Sequence, residues 1–391
     1  MKIRKLAKEE HGMTRPLWEE IFTEDGKGFL DYYYQVKTAD NEIYVVEEED
    51  GGLSAMLQLN PYEVRFMDRV CSLHYIIAVA TKKEYRGRGY MTRLLETSSR
   101  DMYQAGEPFT FLMPAAEGIY YPHGFRFVYG QSQIDGEIQE KEEQRPEVCC
   151  QVRQAEERDC GRIAAFAEKV LGRMSLIRTV RREKYYQTLL REQQSEGGGI
   201  LVTERAGLLT GCVIYSSYDG KTELREPLFD ELEDWKTVLS YLRNKPEKKM
   251  HIAGIRSEEE EHAAKEMLEH PSGKEEPMIM ARIVHLRYFL ESFTAKEAFR
   301  IYLHVEDRLI PENDGDWEIV GKSGEHLTAR KLEGASEQAE PVSVGDLAIG
   351  LFGYDADREK QQDACQKTGT LMRELMEKTC LAPPVFLNEI V

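Results

Sequence analysis

One segment constrains the chain more than any other: Ile77-Ala-Val-Ala-Thr81-Lys-Lys-Glu-Tyr-Arg86-Gly-Arg-Gly89-Tyr-Met-Thr-Arg-Leu-Leu95. The run Leu73–Ala80 is nearly all apolar, as a strand buried on both faces requires. It passes into a charged, glycine-bearing turn, Lys82–Gly89, and a helical pattern opens directly afterwards over Tyr90–Gln104. Phe109–Met113 is a second buried strand, so the stretch reads as a strand, turn, helix, strand unit of an α/β fold. Glycines let a backbone approach a ligand closely. The free N–H groups of a helix start, at the positive end of its dipole, suit an anion such as a pyrophosphate. Arg86 and Arg88 add charge at that point.

Other phosphate loops fit less well. The pattern G-x-x-x-x-G-K-[ST] is absent, and the dinucleotide fingerprint needs a third glycine where Thr92 stands. Arg86 to Met91 resembles the R-x-x-G-x-[GA] signature of the GNAT superfamily of N-acetyltransferases, departing from it at Met91. The competing reading is a basic surface turn before a helix. The resemblance implies acetyl-CoA as co-substrate and no metal. Its pantetheine arm would lie along the backbone of Ile77 and Val79. Its pyrophosphate would lie against the amides of Arg86, Gly87, Arg88, Gly89 and Tyr90, with Met91 closing the loop. Downstream, Ile119-Tyr-Tyr-Pro-His-Gly124-Phe125 resembles the GNAT segment whose tyrosine protonates the departing thiolate. A tyrosine of pKa ~10 holds its proton at neutral pH and can give it to sulfur. The spacing points to Tyr120, with Tyr121 the alternative, while His123 reads as an exposed turn residue.

At 391 residues the chain holds two or three domains, and three is our reading. Glu42–Glu47 and Leu53–Leu59 form a hairpin pattern, and a boundary falls where Lys141-Glu-Glu-Gln-Arg-Pro146 breaks the apolar order. Residues 1–145 form the first domain, 146–286 a second mixed domain, and 287–391 a third, richer in strand patterns. Arg358–Lys378 is a helix candidate in the third. With Leu30–Val36, Met278–Val284 and Leu387–Val391, this layout resembles GNAT enzymes of the Eis (enhanced intracellular survival) type over essentially the full length. That resemblance implies α/β and α+β architecture: tandem GNAT folds, the second degenerate, followed by a sterol-carrier-protein-like α+β domain. It also implies a homo-hexamer, acetylation of amines on aminoglycosides or polyamines, and a catalytic part for the terminal carboxylate, here Val391.

Composition bears on the acceptor. Lys and Arg number 52 against 70 Asp and Glu, a net charge of −18, which disfavours nucleic acid and favours a cationic small-molecule amine. Trp18, Phe22, Glu24, Asp25, Tyr33 and Tyr34 set carboxylates beside aromatic rings, a mixture suited to polyamines, although each alone also fits a core face beside a solvated acidic one. Glu258–Glu261 reads as a solvated helix face, and Cys71 as core packing with His74 near it. Seven cysteines without a C-x-x-C pair read as reduced thiols in a cytoplasmic protein. The N-terminus lacks a signal-peptide core, and no apolar run reaches the ~18 residues of a membrane span. Two other functions stay open: acetylation of protein lysines or N-termini, and a non-catalytic carrier of apolar ligands.

Overall fold

The computed structural model describes residues 1–139, 150–174, 177–218, 220–354 and 369–389. Val391, the Lys141–Pro146 boundary, Cys149, Cys365 and the first part of the Arg358–Lys378 helix candidate lie outside these residues.

The first half runs β1 (Lys2–Lys5), α1 (Arg15–Ile21), α2 (Lys27–Gln35), β2 (Glu42–Glu47), β3 (Leu53–Phe66), β4 (Arg69–Thr81), α3 (Tyr90–Gln104), β5 (Phe109–Leu112), α4 (Glu117–Tyr120) and β6 (Arg126–Ile138). Side chains alternate along the strands, so each strand feeds two layers. Ile43, Val45 and Met56 meet Trp18, Phe29 and Tyr33 of α1 and α2. Leu57, Leu59 and Ile76 point the other way and meet Leu94 and Leu95 of α3. Helices on both faces are why β4 is apolar along its inner length.

The second half runs β7 (Gln151–Gln154), α5 (Cys160–Leu171), β8 (Ile177–Thr179), α6 (Glu183–Ser195), β9 (Gly199–Arg205), β10 (Leu208–Tyr218), β11 (Lys221–Phe229), α7 (Leu232–Leu242), β12 (Lys249–Ile255), α8 (Glu258–Glu266) and β13 (Leu268–Ile283). Apart from the short β8, it repeats the first half element for element. The final strands are exchanged: the sheet order is β1-β2-β3-β4-β5-β13-β6-β12-β11-β10-β9-β7. β13 pairs with β5 from Met280↔Leu112 to Ile283↔Phe109, and β12 pairs with β6. β6 and β13 lie side by side from Leu268↔Ile138 to Ala281↔Arg126. One continuous sheet therefore joins both halves.

The C-terminal unit is α+β. It holds α9 (Leu286–Leu290), β14 (Thr294–Ala295), β15 (Phe299–Glu306), β16 (Gly315–Gly321), β17 (Thr328–Lys331), β18 (Glu340–Ser343), α10 (Val344–Phe352), α11 (Thr370–Lys378), β19 (Thr379–Cys380) and β20 (Val385–Phe386). Its sheet is ordered β17-β16-β15-β18. A wholly buried Arg282 on β13 joins this unit to the first half. It ion-pairs with Asp307, and its Nε donates to the His123 carbonyl at 2.7 Å. β20 leaves the unit and pairs in parallel with β8, which in turn pairs with β3.

Candidate active site

β4 and β5 run parallel but share only the pair Tyr75↔Phe111, so they part toward their C-terminal ends. On its other edge β4 carries a bulge. Met56 pairs with Ala80 and Gln58 with Ile77, which leaves Ala78 and Val79 opposite Leu57 alone. Ala78 sits at φ 51, a conformation that L-residues avoid outside special positions. The bulge takes Ala78 and Val79 out of the β3 ladder and sets their backbone at the opening between β4 and β5. Gly87 and Gly89 both have φ 75, and a Cβ on either would meet nothing within 4 Å, so the loop backbone is bare on its outer side. Gly89 caps α3, whose first turn holds no acidic residue. Arg86 bonds the Thr81 carbonyl at 3.1 Å and Arg88 the Glu84 carbonyl at 3.2 Å. Among the described residues neither arginine has a carboxylate partner. Tyr90 is buried, and Met91 packs partly buried against the same cluster, so its side chain faces the core.

Tyr120 ends α4 and packs with Leu59, Ile76 and Leu112, from the three strands around the opening. Its ring meets Phe125 edge-on at 5.7 Å. Burial pushes its pKa up to about 12. Tyr121 is half-buried, with the Arg126 guanidinium 5.3 Å from its ring centroid. The turn from Tyr121 to Phe125 is held by two arginines, because Arg126 donates to the carbonyls of Tyr121 and Phe125 at 3.1 and 2.8 Å and Arg282 to that of His123. Burial lowers the pKa of His123.

On the α1–α2 side of the sheet a cavity of about 370 Å³ opens between the two halves. The end of α2, the far parts of β3 and β4, α6, β11 and the tail residues Asn388 and Glu389 all line it. Tyr62, in its wall, packs edge-on against Tyr75 at 6.3 Å, and the Tyr75 hydroxyl accepts from the Met113 amide at 3.3 Å. Tyr75 thus stands between the cavity and the β4–β5 opening. Burial raises its pKa, and the charge of Glu389 and the proximity of Tyr120 add to the rise.

Residues 2–128 match the acetyltransferase (GNAT) domain family. This part of the chain is a GNAT domain, and the chain is an acetyltransferase. Solved structures align over its whole length. A probable N-acyltransferase from Enterococcus faecalis V583 is 19% identical, with TM-score 0.82 over 100% of this chain and 99% of that one. A GCN5-related N-acetyltransferase from Kribbella flavida is 16% identical, with TM-score 0.73 over 100% of both. Eis1 from Mycobacterium abscessus is 12% identical, with TM-score 0.68 over 100% of both. At these identities the likeness is one of fold. Among curated proteins, no sequence matches the chain.

None of the six residues read as an acceptor pocket lines this cavity: Trp18, Phe22, Glu24 and Asp25 precede α2, while Tyr33 and Tyr34 lie in its last turn, beside Val36 and Lys37 of the lining. Trp18 and Tyr33 are core residues 4.6 Å apart, because α1 and α2 turn their aromatic stripe onto the sheet. Trp18 donates to Asp25 at 2.6 Å, and Tyr33 donates to Asn60 at 3.1 Å. Tyr34 shares a 2.9 Å hydrogen bond with Thr14, Phe22 is half-buried, and Glu24 is exposed. The cavity's own polar residues, Lys37, Tyr62, Tyr185, Glu192 and Glu389, come from four distant segments. Only Tyr185, Leu189 and Glu192, which line the cavity from α6 at helical spacing, left a local signal. Cys71 is half-buried, and burial raises its thiol pKa. His74 is 2.6 Å from buried Glu107.

The second half keeps the bulge and, among the described residues, has no counterpart of the Lys82–Gly89 loop. Cys212 pairs with Leu228 and Ile214 with Arg225, and Glu226 between them has φ 54. Only Asp230 and Glu231 precede α7, whose first turn carries Glu233 and Asp234. Carboxylates at a helix N-terminus repel a phosphate. The bulge itself is plugged: buried Glu226 ion-pairs with buried Arg181 and accepts from the Asn388 amide at 3.2 Å. Among the described residues, no helix is long and apolar enough to cross a membrane, and no group of three His, Cys, Asp or Glu could hold a metal.

Proposed function

We propose that the chain transfers the acetyl group of acetyl-CoA to a primary amine by direct attack on the thioester carbonyl. The observation that carries this reading is a strand–loop–helix unit that combines a bulged β4 with a bare loop whose two arginines have no carboxylate partner among the described residues, beside a buried tyrosine at the end of α4. The amides from Arg86 to Tyr90 hold the pyrophosphate, and the backbone of Ile77 to Val79, of which the bulge frees Ala78 and Val79 from β3, holds the pantetheine arm. An N–H of the bulge donates to the oxyanion of the tetrahedral intermediate. The amine nitrogen bonds to the acetyl carbon, the carbon–sulfur bond breaks, and Tyr120 gives its proton to sulfur. With its pKa pushed up to about 12, Tyr120 holds that proton at neutral pH. The amine loses its proton toward the tail carboxylates, where the α-carboxylate of Val391 is the group the family resemblance implies.

The acceptor class we propose is the small cationic amine, aminoglycoside- or polyamine-like, acetylated by a cytoplasmic hexamer with a sterol-carrier-protein-like third domain. The test is thiol release from acetyl-CoA across a panel of such amines, run with the natural C-terminus and with an extension past Val391. Release with any amine, abolished in Tyr120→Phe while acetyl-CoA still binds, is the expected result. Unchanged turnover in Tyr120→Phe refutes the assignment of the acid.

A further inference from the structure

The cavity between the halves has two poles of opposite charge. At one, buried Glu192 is flanked by Lys37 and Arg225, whose charges oppose the rise that burial imposes on its pKa. Lys37 donates to the Tyr62 hydroxyl at 3.0 Å and, among the described residues, makes no ion pair. Arg225 comes no closer than 4.0 Å to a carboxylate, that of Glu223. Among the residues that line the cavity, this pole sets two cations, Lys37 and Arg225, against the single carboxylate of Glu192, with Glu223 outside the lining. At the other, Arg181 pairs with Glu226 and lies 3.9 Å from Glu389, giving two carboxylates for one cation. Glu389 accepts from Thr179 at 2.5 Å and Tyr185 at 3.1 Å, which fixes it at the wall with lone pairs to spare. The outer rim is neutral, because Arg182 pairs with Glu63 and Lys184 with Asp40, both at 2.7 Å.

A polycation gains from the second pole and is repelled by the first. A molecule with one group of each sign gains from both. Resting on the acetyl-transfer reading, and replacing its polyamine-like acceptor with an amine that also carries a carboxylate, we infer that the acceptor is a free amino acid, with its carboxylate at Lys37 and Arg225 and an ammonium at Glu389. The cavity's 370 Å³ is at the lower end of the ~300–1,000 Å³ usual for small-molecule sites, which suits an acceptor of this size. The ammonium at Glu389 sheds its proton and then attacks as in the mechanism above.

Matched pairs that differ by the carboxylate alone test this: lysine and cadaverine, ornithine and putrescine, tyrosine and tyramine. We expect kcat/KM to favour at least one amino acid over its amine by about tenfold or more. Lys37→Met should bring that ratio close to one while Lys37→Arg keeps it, and Arg225→Gln makes the same test from the other cation. Amines that match or beat their amino acids throughout, or a ratio unmoved in a Lys37→Met protein that still binds acetyl-CoA, would overturn the inference. Calorimetry with the same compounds, without acetyl-CoA, separates it from the transfer reading. Lys37-dependent binding of an amino acid without any transfer keeps the site and discards the chemistry. Transfer to amines with no amino-acid binding does the reverse.

Discussion

Arg282 offers a sharp test of how the turn after Tyr120 is held. Its side chain is wholly buried and makes three contacts: the Asp307 ion pair, the His123 carbonyl at 2.7 Å and the Ile283 carbonyl at 2.6 Å. Replacing it by Met keeps much of the volume and removes all three. Asp307 would not be wholly stranded, since it still accepts from the Leu309 and Ile310 amides at 3.0 Å and from Asn313 at 2.9 Å. Removing one partner of a buried pair costs about 3–5 kcal/mol, and those three bonds argue for the lower end on that count. The two orphaned carbonyls pull the figure back up, at roughly 1–3 kcal/mol for each that finds no donor. We therefore expect Arg282→Met to destabilise the protein by about 4 kcal/mol in urea unfolding. Asp307→Asn added to it should recover part of the loss, because the buried charge goes too. Below its unfolding range the variant should show lower kcat with acetyl-CoA affinity kept, since the His123 carbonyl lies three residues past Tyr120. A loss under about 1 kcal/mol, or a double variant no better than the single, would refute this account.

Four further outcomes follow from the structure. Tyr120→Phe should lower kcat by about 10²–10⁴ without weakening acetyl-CoA, read by thiol release and calorimetry. Burial raises the Tyr120 pKa to about 12, so its acid form persists through pH 10, and the alkaline limb of kcat should lie above that; a limb below 10 would count against it. Gly89→Val forces a side chain into φ 75 at the cap of α3, and should cost about 1–2 kcal/mol of stability and raise the KM for acetyl-CoA. Phe386→Ala removes a buried ring 5.4 Å from Arg181 and 5.9 Å from Tyr129, which should cost about 3–5 kcal/mol in thermal or urea unfolding.

What was legible in the sequence was whatever repeats locally. The apolar run at Leu73–Ala80 lies within β4, and the helical pattern at Tyr90–Gln104 is α3 to the residue. The hairpin pattern found β2, but it stopped β3 at Leu59, where burial on both faces gives way to a mixed edge running to Phe66. β13 was harder. Only Met278–Ile283 reads as a strand, while the segment before it is Glu-His-Pro-Ser-Gly-Lys-Glu-Glu-Pro, exposed and polar because it pairs with β6 without a layer over it. The Arg86–Met91 loop and Tyr120 stood out because they resemble GNAT motifs of fixed spacing. The cavity did not: Lys37, Tyr62, Glu192 and Glu389 acquire meaning only when the halves and the tail meet, and such pairing leaves no period to read.

The exchange of final strands also sets an order on synthesis. When β5 and β6 leave the ribosome, the neighbour that β5 will finally keep is still unmade, since β13 ends at Ile283. At ~5–20 residues per second the wait lasts on the order of ten seconds. Throughout it the Phe109–Leu112 edge has no β13 to pair with, and β6 is the next strand made. If β6 fills that edge first, the first half closes as a self-contained sheet and that ladder has to be given up before β13 can enter. Reaching the finished sheet is then a displacement reaction, and whatever shortens the interval or weakens the early pairing favours the fused form.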